Sequence, residues 1–154
     1  MLLIGWDRLD EVYGVHELQV ERSVVFTVTA CTRVTDEIIA ASTNELAVVR
    51  APLDAPAAAE GLARRIAQRL GPELESLAVD AERSPTRWAI GVAVSRAEDE
   101  PADLLRHAEA ALGDAWVLGG GRLVAFDDGD RELLDQDTDP GPGADAGPGS
   151  SPVG

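Results

Sequence analysis

The residue types that most often carry catalysis are sparse in this sequence. Cys31 is the only cysteine, so it can form neither an internal disulfide nor a cysteine-based metal cluster. The two histidines, His16 and His107, are too few to suggest a zinc site. No Ser-His-Asp set and no glycine-rich phosphate loop is evident, and the run 119–121 of three glycines is typical of a helix end. We therefore expect no structural metal.

The charge of the chain restricts its partners. Its 28 acidic residues outnumber its 13 basic residues, which are all arginine, and the formal net charge is −15. Such a surface repels a phosphate backbone, so we expect no nucleic-acid binding. A small anionic ligand would need a local arginine site. The alternative interpretation is that this composition only favours solubility.

Length and composition predict one folded domain followed by a tail. A chain of 154 residues with 45% hydrophobic residues can bury one sizeable core. No apolar run is long enough for a membrane helix, and the first residues lack the features of a signal peptide, so we expect a cytoplasmic protein with no membrane contact. From residue 128 the sequence is rich in Asp, Pro and Gly. We predict a domain over 1–127 and a disordered acidic tail over 128–154.

Apolar periodicity predicts alternating strands and helices. Strands are expected at 2–6, in a hairpin of 38–41 and 46–49, and at 88–94 and 123–126. An amphipathic helix over 58–70 is expected to stop at Gly71-Pro72. A second helix begins at Pro101, with an inner face of Leu104, Leu105, Ala108 and Leu112.

The segment 20–34 suits a helix or a strand, because its apolar residues recur every four positions while many are β-branched. We favour a helix, since the first strand must be connected to the hairpin. The resulting βαββαβ order predicts an α+β fold of the palm or ferredoxin-like type. We expect an antiparallel sheet with the hairpin at its centre and the helices on one face.

Several segments resemble GGDEF domains, the diguanylate cyclase family. The strand 89–93 (AIGVA), the helix 103–112 and the closing stretch 119–127 are similar to the family's C-terminal half. Residues 5–9 fall where the family has DxDxF, and residues 42–46 fall where it has the GGDEF signature. The resemblance implies a GGDEF-like fold over about residues 1–127.

The resemblance also implies which residues a cyclase would use. The family joins two GTP molecules into cyclic di-GMP by two-metal catalysis, which needs clustered carboxylates around two Mg²⁺ ions. Here Gly5 replaces the metal-binding aspartate of the first strand, and Asn44 replaces the first acidic residue of the signature. Asp7 and Glu45 remain as residual catalytic candidates. Their alternative roles are a helix cap for Asp7 and a solvated turn residue for Glu45.

Other family positions are changed as well. Ser42 and Thr43 replace the paired glycines that admit the triphosphate. The residues that read guanine correspond to Tyr13 and Gly14, and a phosphate-binding lysine corresponds to Trp116. Trp116 could stack on a nucleotide base, but its place on an amphipathic helix favours a core role. We therefore expect no cyclase activity, no metal and no cofactor.

One binding feature of the family is retained. Arg33 and Asp36 lie just before Ser42 at the spacing of the RxxD site, where many GGDEF domains bind cyclic di-GMP. An arginine fork pairs with a phosphate or with the edge of guanine, while a carboxylate accepts hydrogen bonds from the guanine ring. The alternative is a local salt bridge on the surface.

The sequence thus predicts a degenerate GGDEF-like regulatory domain that senses cyclic di-GMP or contacts another protein. Two alternatives stay open. The chain could be a residual nucleotide cyclase that uses Mg²⁺, or a pure interaction module that binds a partner protein or a second copy of itself.

Overall fold

Strands and helices alternate along most of the chain. The computed structural model describes residues 1–7, 14–51, 56–80, 86–126 and 133–134. The elements are β1 (Leu2–Trp6), α1 (Gly14–Cys31), β2 (Glu37–Ser42), β3 (Glu45–Val49), α2 (Pro56–Asp80), β4 (Trp88–Val92), α3 (Pro101–Val117), β5 (Arg122–Ala125) and β6 (Leu133–Leu134). The first six confirm the predicted βαββαβ order.

The strands form one mixed sheet in the order β2-β3-β1-β4-β5-β6. β1 pairs antiparallel with both β3 and β4, whereas β4 and β5 are parallel. A helical crossover joins β4 to β5, and such a connection is what parallel neighbours require. The α+β fold class is confirmed, but the expected antiparallel sheet is wrong, because β4 and β5 run parallel. The expected central position of the hairpin is wrong, because β1 and β4 occupy the middle and β2 lies at an edge.

The helices cover both faces of the sheet, which corrects the expectation of one covered face. α1 and α2 pack against the face that carries Leu2, Ile4 and Trp6. α3 packs against the opposite face, with Leu3 and Ala89. Every residue of β1 and β4 is buried, and a strand without polar alternation has to be covered on both sides.

The ambiguous segment is a helix, as predicted. Val20, Val24 and Val28 recur every four residues along α1 and are at most 1% exposed. Together they form one stripe against the sheet. Burial of this stripe outweighs the strand preference of the β-branched residues, because strand propensity depends strongly on context.

The predicted stop at Gly71-Pro72 is wrong, because α2 continues through Pro72 to Asp80. A proline within a helix removes one hydrogen bond and costs about 3 kcal/mol. Leu74 and Ala78 follow Leu70 at four-residue intervals and are nearly fully buried. Their burial offsets that cost, since one leucine side chain contributes roughly 1.5–3 kcal/mol.

α3 begins at Pro101, as predicted. Asp103 accepts a hydrogen bond from the backbone N–H of Glu100 at 3.1 Å, which satisfies a donor at the helix start. The helix ends before three glycines with positive φ, as the glycine run predicts. The inner face is formed by Ala108, Ala111, Leu112 and Ala115. The expected inward position of Leu105 is wrong, since that residue is 40% exposed.

The predicted boundary at residue 127 stays a prediction. Leu133 and Leu134, in the segment predicted to be disordered, form β6 and pair with β5. The rest of 128–154 lies outside the described residues. Among the described residues, no helix has the length and hydropathy of a membrane span.

The contact between α3 and β4 leaves no room for a side chain at Gly91. A Cβ atom there would overlap the carbonyl oxygen of Ala108 and the backbone nitrogen of Leu112. We expect Gly91→Ala to lower the free energy of unfolding by about 3 kcal/mol or more, because backbone atoms would have to move apart. Urea denaturation followed by tryptophan fluorescence measures this loss.

Gly61→Ala is the matched control. Gly61 lies inside α2, and a Cβ atom there meets nothing within 4 Å. The same change should raise the free energy of unfolding by about 0.5–1 kcal/mol, as alanine favours a helix more than glycine does. Equal effects of the two variants would contradict the close contact.

Candidate functional site

The turn between β2 and β3 is tied to the end of β1. The backbone N–H of Trp6 donates to the carbonyl oxygen of Asn44 at 3.1 Å. The Asn44 side-chain amide donates back to the carbonyl oxygen of Trp6 at 2.7 Å. Its Oδ1 accepts from the Ser42 hydroxyl at 3.3 Å. The Asn44 side chain is therefore used to hold the turn in place.

Gly5 and Glu45 are direct neighbours in the sheet at this end. Strand alternation places Glu45 on the same face as Ala47, which packs on the α3 side. The indole of Trp116 covers Gly5 on that face. A Cβ atom at Gly5 would lie 3.4 Å from Trp116 Nε1 and 3.5 Å from Cζ2. A methyl group fits there, but a longer side chain would meet the indole ring.

Asp7 follows β1 and is held by Arg87. Its backbone N–H donates to the carbonyl oxygen of Arg87 at 2.9 Å. Arg87 Nε donates to Asp7 Oδ2 at 2.7 Å, in a pair in which both side chains keep substantial exposure. The Arg87 guanidinium also lies over the Trp116 ring, 5.9 Å from its centroid. One arginine thus contacts both the acid and the aromatic ring.

A second polar cluster lies at the opposite, open end of the hairpin. Arg50 donates to both carboxylate oxygens of Asp36, from Nε to Oδ1 at 2.7 Å and from Nη2 to Oδ2 at 2.5 Å. The side chains of Arg50 and Asp36 are 6% and 0% exposed. The backbone N–H of Arg33 also donates to Asp36 Oδ2, at 2.7 Å.

The environment of Asp36 favours its charged form. The hydrogen bond from Arg50 is the main reason that the Asp36 pKa lies below its usual value, although burial opposes this shift. The Arg33 N–H and the charges of Arg50 and Arg33 lower this pKa further. The carboxylate therefore stays ionised, and its pair with Arg50 joins the start of β2 to the end of β3.

Solved structures with the same fold contain GGDEF or GGEEF domains. The active GGEEF domain of a diguanylate cyclase from Vibrio cholerae matches with a TM-score of 0.66 and 17% identity, over 82% of this chain and 81% of that one. The GGDEF domain of YfiN (TpbB) from Pseudomonas aeruginosa matches with 0.61 and 24%, over 82% and 75%. The fold is that of a GGDEF domain.

A third match of this kind is an EAL/GGDEF domain protein from M. capsulatus. Its TM-score is 0.60 at 19% identity, over 82% of this chain and 83% of that one. No family model matches the sequence, and no curated protein matches it. The GGDEF-like fold is thus established by structure, and the resemblance seen in the sequence is confirmed at that level.

The structure brings together some of the residues singled out from the sequence. Asp7, Glu45 and Trp116 all lie at the end of the sheet next to the β2–β3 turn, whereas Arg33 and Asp36 lie at the other end of the hairpin. Tyr13 is outside the described residues. Within the parts of the chain that the structure describes, no three His, Cys, Asp or Glu side chains could share a metal ion.

Sequence reasoning missed the two arginines that hold these acids. Arg50 could have been found from the hairpin, because Ile38 pairs with Val48 and Glu37 with Val49, which sets Asp36 opposite Arg50. Arg87 gave no such signal. It lies one residue before β4, and its contact with Asp7 spans 80 positions of sequence.

Asp36→Asn should lower the free energy of unfolding at pH 7 by about 1.5–3 kcal/mol, because the two hydrogen bonds that Arg50 donates would lose their charged acceptor. In the wild type this contribution is complete above the unfolded-state pKa, near 3.8, and disappears as pH falls through the lower folded-state pKa. The difference in the free energy of unfolding between the wild type and Asp36→Asn should therefore become smaller in strong acid. Urea denaturation at pH 7 and in steps below about pH 4 measures it.

Glu60→Gln is the control for this prediction. Glu60 forms an exposed pair with Arg64 at 3.9 Å, so its loss should cost under about 0.5 kcal/mol. Two results would contradict a stabilising role of the Asp36–Arg50 pair. One is an Asp36→Asn variant as stable as Glu60→Gln, and the other is a stability difference between the wild type and Asp36→Asn that grows in acid.

Proposed function

We propose that this chain is a catalytically impaired GGDEF-like domain that acts in cyclic di-GMP signalling as a regulatory module in the cytoplasm. The observation that carries the proposal is the position of Trp116 over Gly5. In active GGDEF domains, as the resemblance implies, a metal-binding aspartate occupies the position of Gly5 and a phosphate-binding lysine occupies the position of Trp116. Here the strand offers no side chain, and an apolar ring covers the space above it.

The remaining side chains at this end of the sheet are a poor match for two divalent cations. Mg²⁺ prefers charged oxygen ligands in an octahedral arrangement. Gly5 supplies no ligand, and the Asn44 amide is bonded to the Trp6 backbone. Asp7 is neutralised by Arg87. Among the described contacts at this end of the sheet, only Glu45 keeps an acidic side chain with no ion pair, and one carboxylate is too few to hold two Mg²⁺ ions.

The regulatory part of the proposal concerns Arg33. Its side chain is on an exposed turn between α1 and β2. Both Asp36 oxygens are engaged by Arg50 and by the Arg33 backbone, so Asp36 fixes the turn that presents Arg33. In this arrangement the guanidinium of Arg33 makes the contact with a phosphate or guanine of cyclic di-GMP, and Asp36 acts as the positioning residue.

Incubation of the purified chain with GTP and either Mg²⁺ or Mn²⁺ should leave the GTP peak unchanged, because the carboxylates needed to hold two metal ions are missing. Anion-exchange chromatography of the reaction separates GTP from the dinucleotide. The active Vibrio cholerae GGEEF domain, treated in parallel, serves as the positive control. Any cyclic di-GMP formed by this chain would refute the impaired-cyclase proposal and favour a residual cyclase that uses Asp7 and Glu45.

Isothermal titration with cyclic di-GMP should give a binding isotherm for the wild type and at least about tenfold weaker binding for Arg33→Ala, since a charge-assisted hydrogen bond contributes roughly 1.5–3 kcal/mol. Arg64 is also an exposed arginine but lies on α2, so Arg64→Ala should bind cyclic di-GMP as tightly as the wild type does. Absence of heat with the wild type would exclude the sensor role and leave protein interaction as the regulatory mode.

A further inference from the structure

The outer face of α1 carries apolar side chains that no element of the described chain covers. Phe26 is 75% exposed, Leu18 is 53% exposed and Val25 is 38% exposed. These three residues, with Glu21, Arg22 and Thr29, line a shallow groove of about 470 Å³ that we call the α1 groove. Exposed apolar residues that are grouped in this way mark an interaction surface.

Phe26 connects this groove with a second depression. On its other side Phe26 lines a space of about 360 Å³ between α1 and α2, together with Gln68 and Arg69. The ring therefore stands as a ridge between two concave surfaces. A partner helix that lies along the α1 groove would contact one flank of the ring and leave the other flank facing the depression between α1 and α2.

The charges of the groove indicate which partner fits. Glu21 and Arg22 are adjacent, opposite in charge and both exposed, at the middle of the apolar stretch from Leu18 to Val25. If two copies of α1 run antiparallel about a two-fold axis between these residues, Leu18 lies against Val25 of the second copy. The same axis sets Glu21 of each copy against Arg22 of the other. The surface is thus complementary to itself, as a two-fold interface requires.

We propose that α1 packs against α1 of a second copy in this antiparallel arrangement. The apolar residues Leu18, Val25 and Phe26 supply the contact, and two reciprocal Glu21–Arg22 pairs set its alignment. One helix pair is a small interface, below the usual range of about 1,200–2,000 Å² for stable complexes. The net charge of −15 on each copy opposes association. The dimer is therefore weak and forms only at high protein concentration.

This interface does not depend on the proposed function. α1 packs on the face of the sheet that carries Leu2 and Ile4, whereas Trp116 and Gly5 lie on the α3 side. A monomeric chain would leave the impaired-cyclase proposal intact, and an active cyclase would leave the α1 dimer intact.

Charge reversal tests the proposal. Sedimentation equilibrium of the full chain, from about 10 µM to about 1 mM, should show association of the wild type. Glu21→Arg and Arg22→Glu should each associate about tenfold more weakly, because each places like charges together twice. An equimolar mixture of the two variants should recover the wild-type association constant, since the first variant presents two arginines at this point and the second presents two glutamates.

Two further variants complete the test. Phe26→Ser should also weaken association about tenfold, while Glu75→Arg, an exposed reversal on α2 with the same change in net charge as Glu21→Arg, should have no effect. Circular dichroism checks that each variant is folded. A wild type that stays monomeric at about 1 mM, or a mixture that associates no better than its components, would overturn the proposal and leave the groove to a different protein.

Discussion

The close contact between the backbone of α3 and Gly91 of β4 determines much of this molecule. Only a residue without a side chain allows the helix to lie so near the strand. Alanines at positions 108, 111 and 115 continue the contact along the helix. As a result the last turn of α3 comes down on the central strands, and Trp116 reaches Gly5. The packing that stabilises this face of the sheet therefore also places the indole ring over β1, next to the β2–β3 turn.

Ion pairs between arginine and aspartate join separate elements of the fold. Two of the three acids singled out from the sequence are paired with arginines: Asp7 with Arg87, 80 positions away, and Asp36 with Arg50, 14 positions away. Arginine forms such pairs with two parallel hydrogen bonds, which fixes orientation as well as charge. Arg87 joins the end of β1 to the start of β4, and Arg50 joins the two strands of the hairpin at its base. A carboxylate committed to such a pair is poorly placed to bind a metal ion.

Local patterns in the sequence predicted the elements better than their arrangement. The strand at 2–6, the hairpin and the start of α3 follow from apolar runs, turn residues and a proline at the first helical position. The continuation of α2 past Pro72 could not be predicted from the proline alone, because burial of Leu74 and Ala78 decides it. The unbroken apolar runs of β1 and β4 indicated that helices cover both faces of the sheet, so the expectation of one covered face did not follow from them.

The placement of the site residues was predictable in part. The resemblance to GGDEF domains assigned Asp7, Glu45 and Trp116 to one region, and in the structure all three lie at one end of the sheet. Arg87 could not be assigned from the sequence, since nothing local ties it to Asp7. The role of Trp116 also depended on a helix position that spacing does not give: the ring is both part of the packing and the cover over Gly5.

The sheet order has a consequence for how the chain acquires its structure. β1 comes first in the sequence, yet Leu2 pairs with Val48 on one side and with Val92 on the other. Contacts between such distant residues form slowly, because long loops must close first. During synthesis this apolar strand therefore stays without its second neighbour until β4 has left the ribosome. In that interval its unpaired edge is open to wrong pairing and to chaperones.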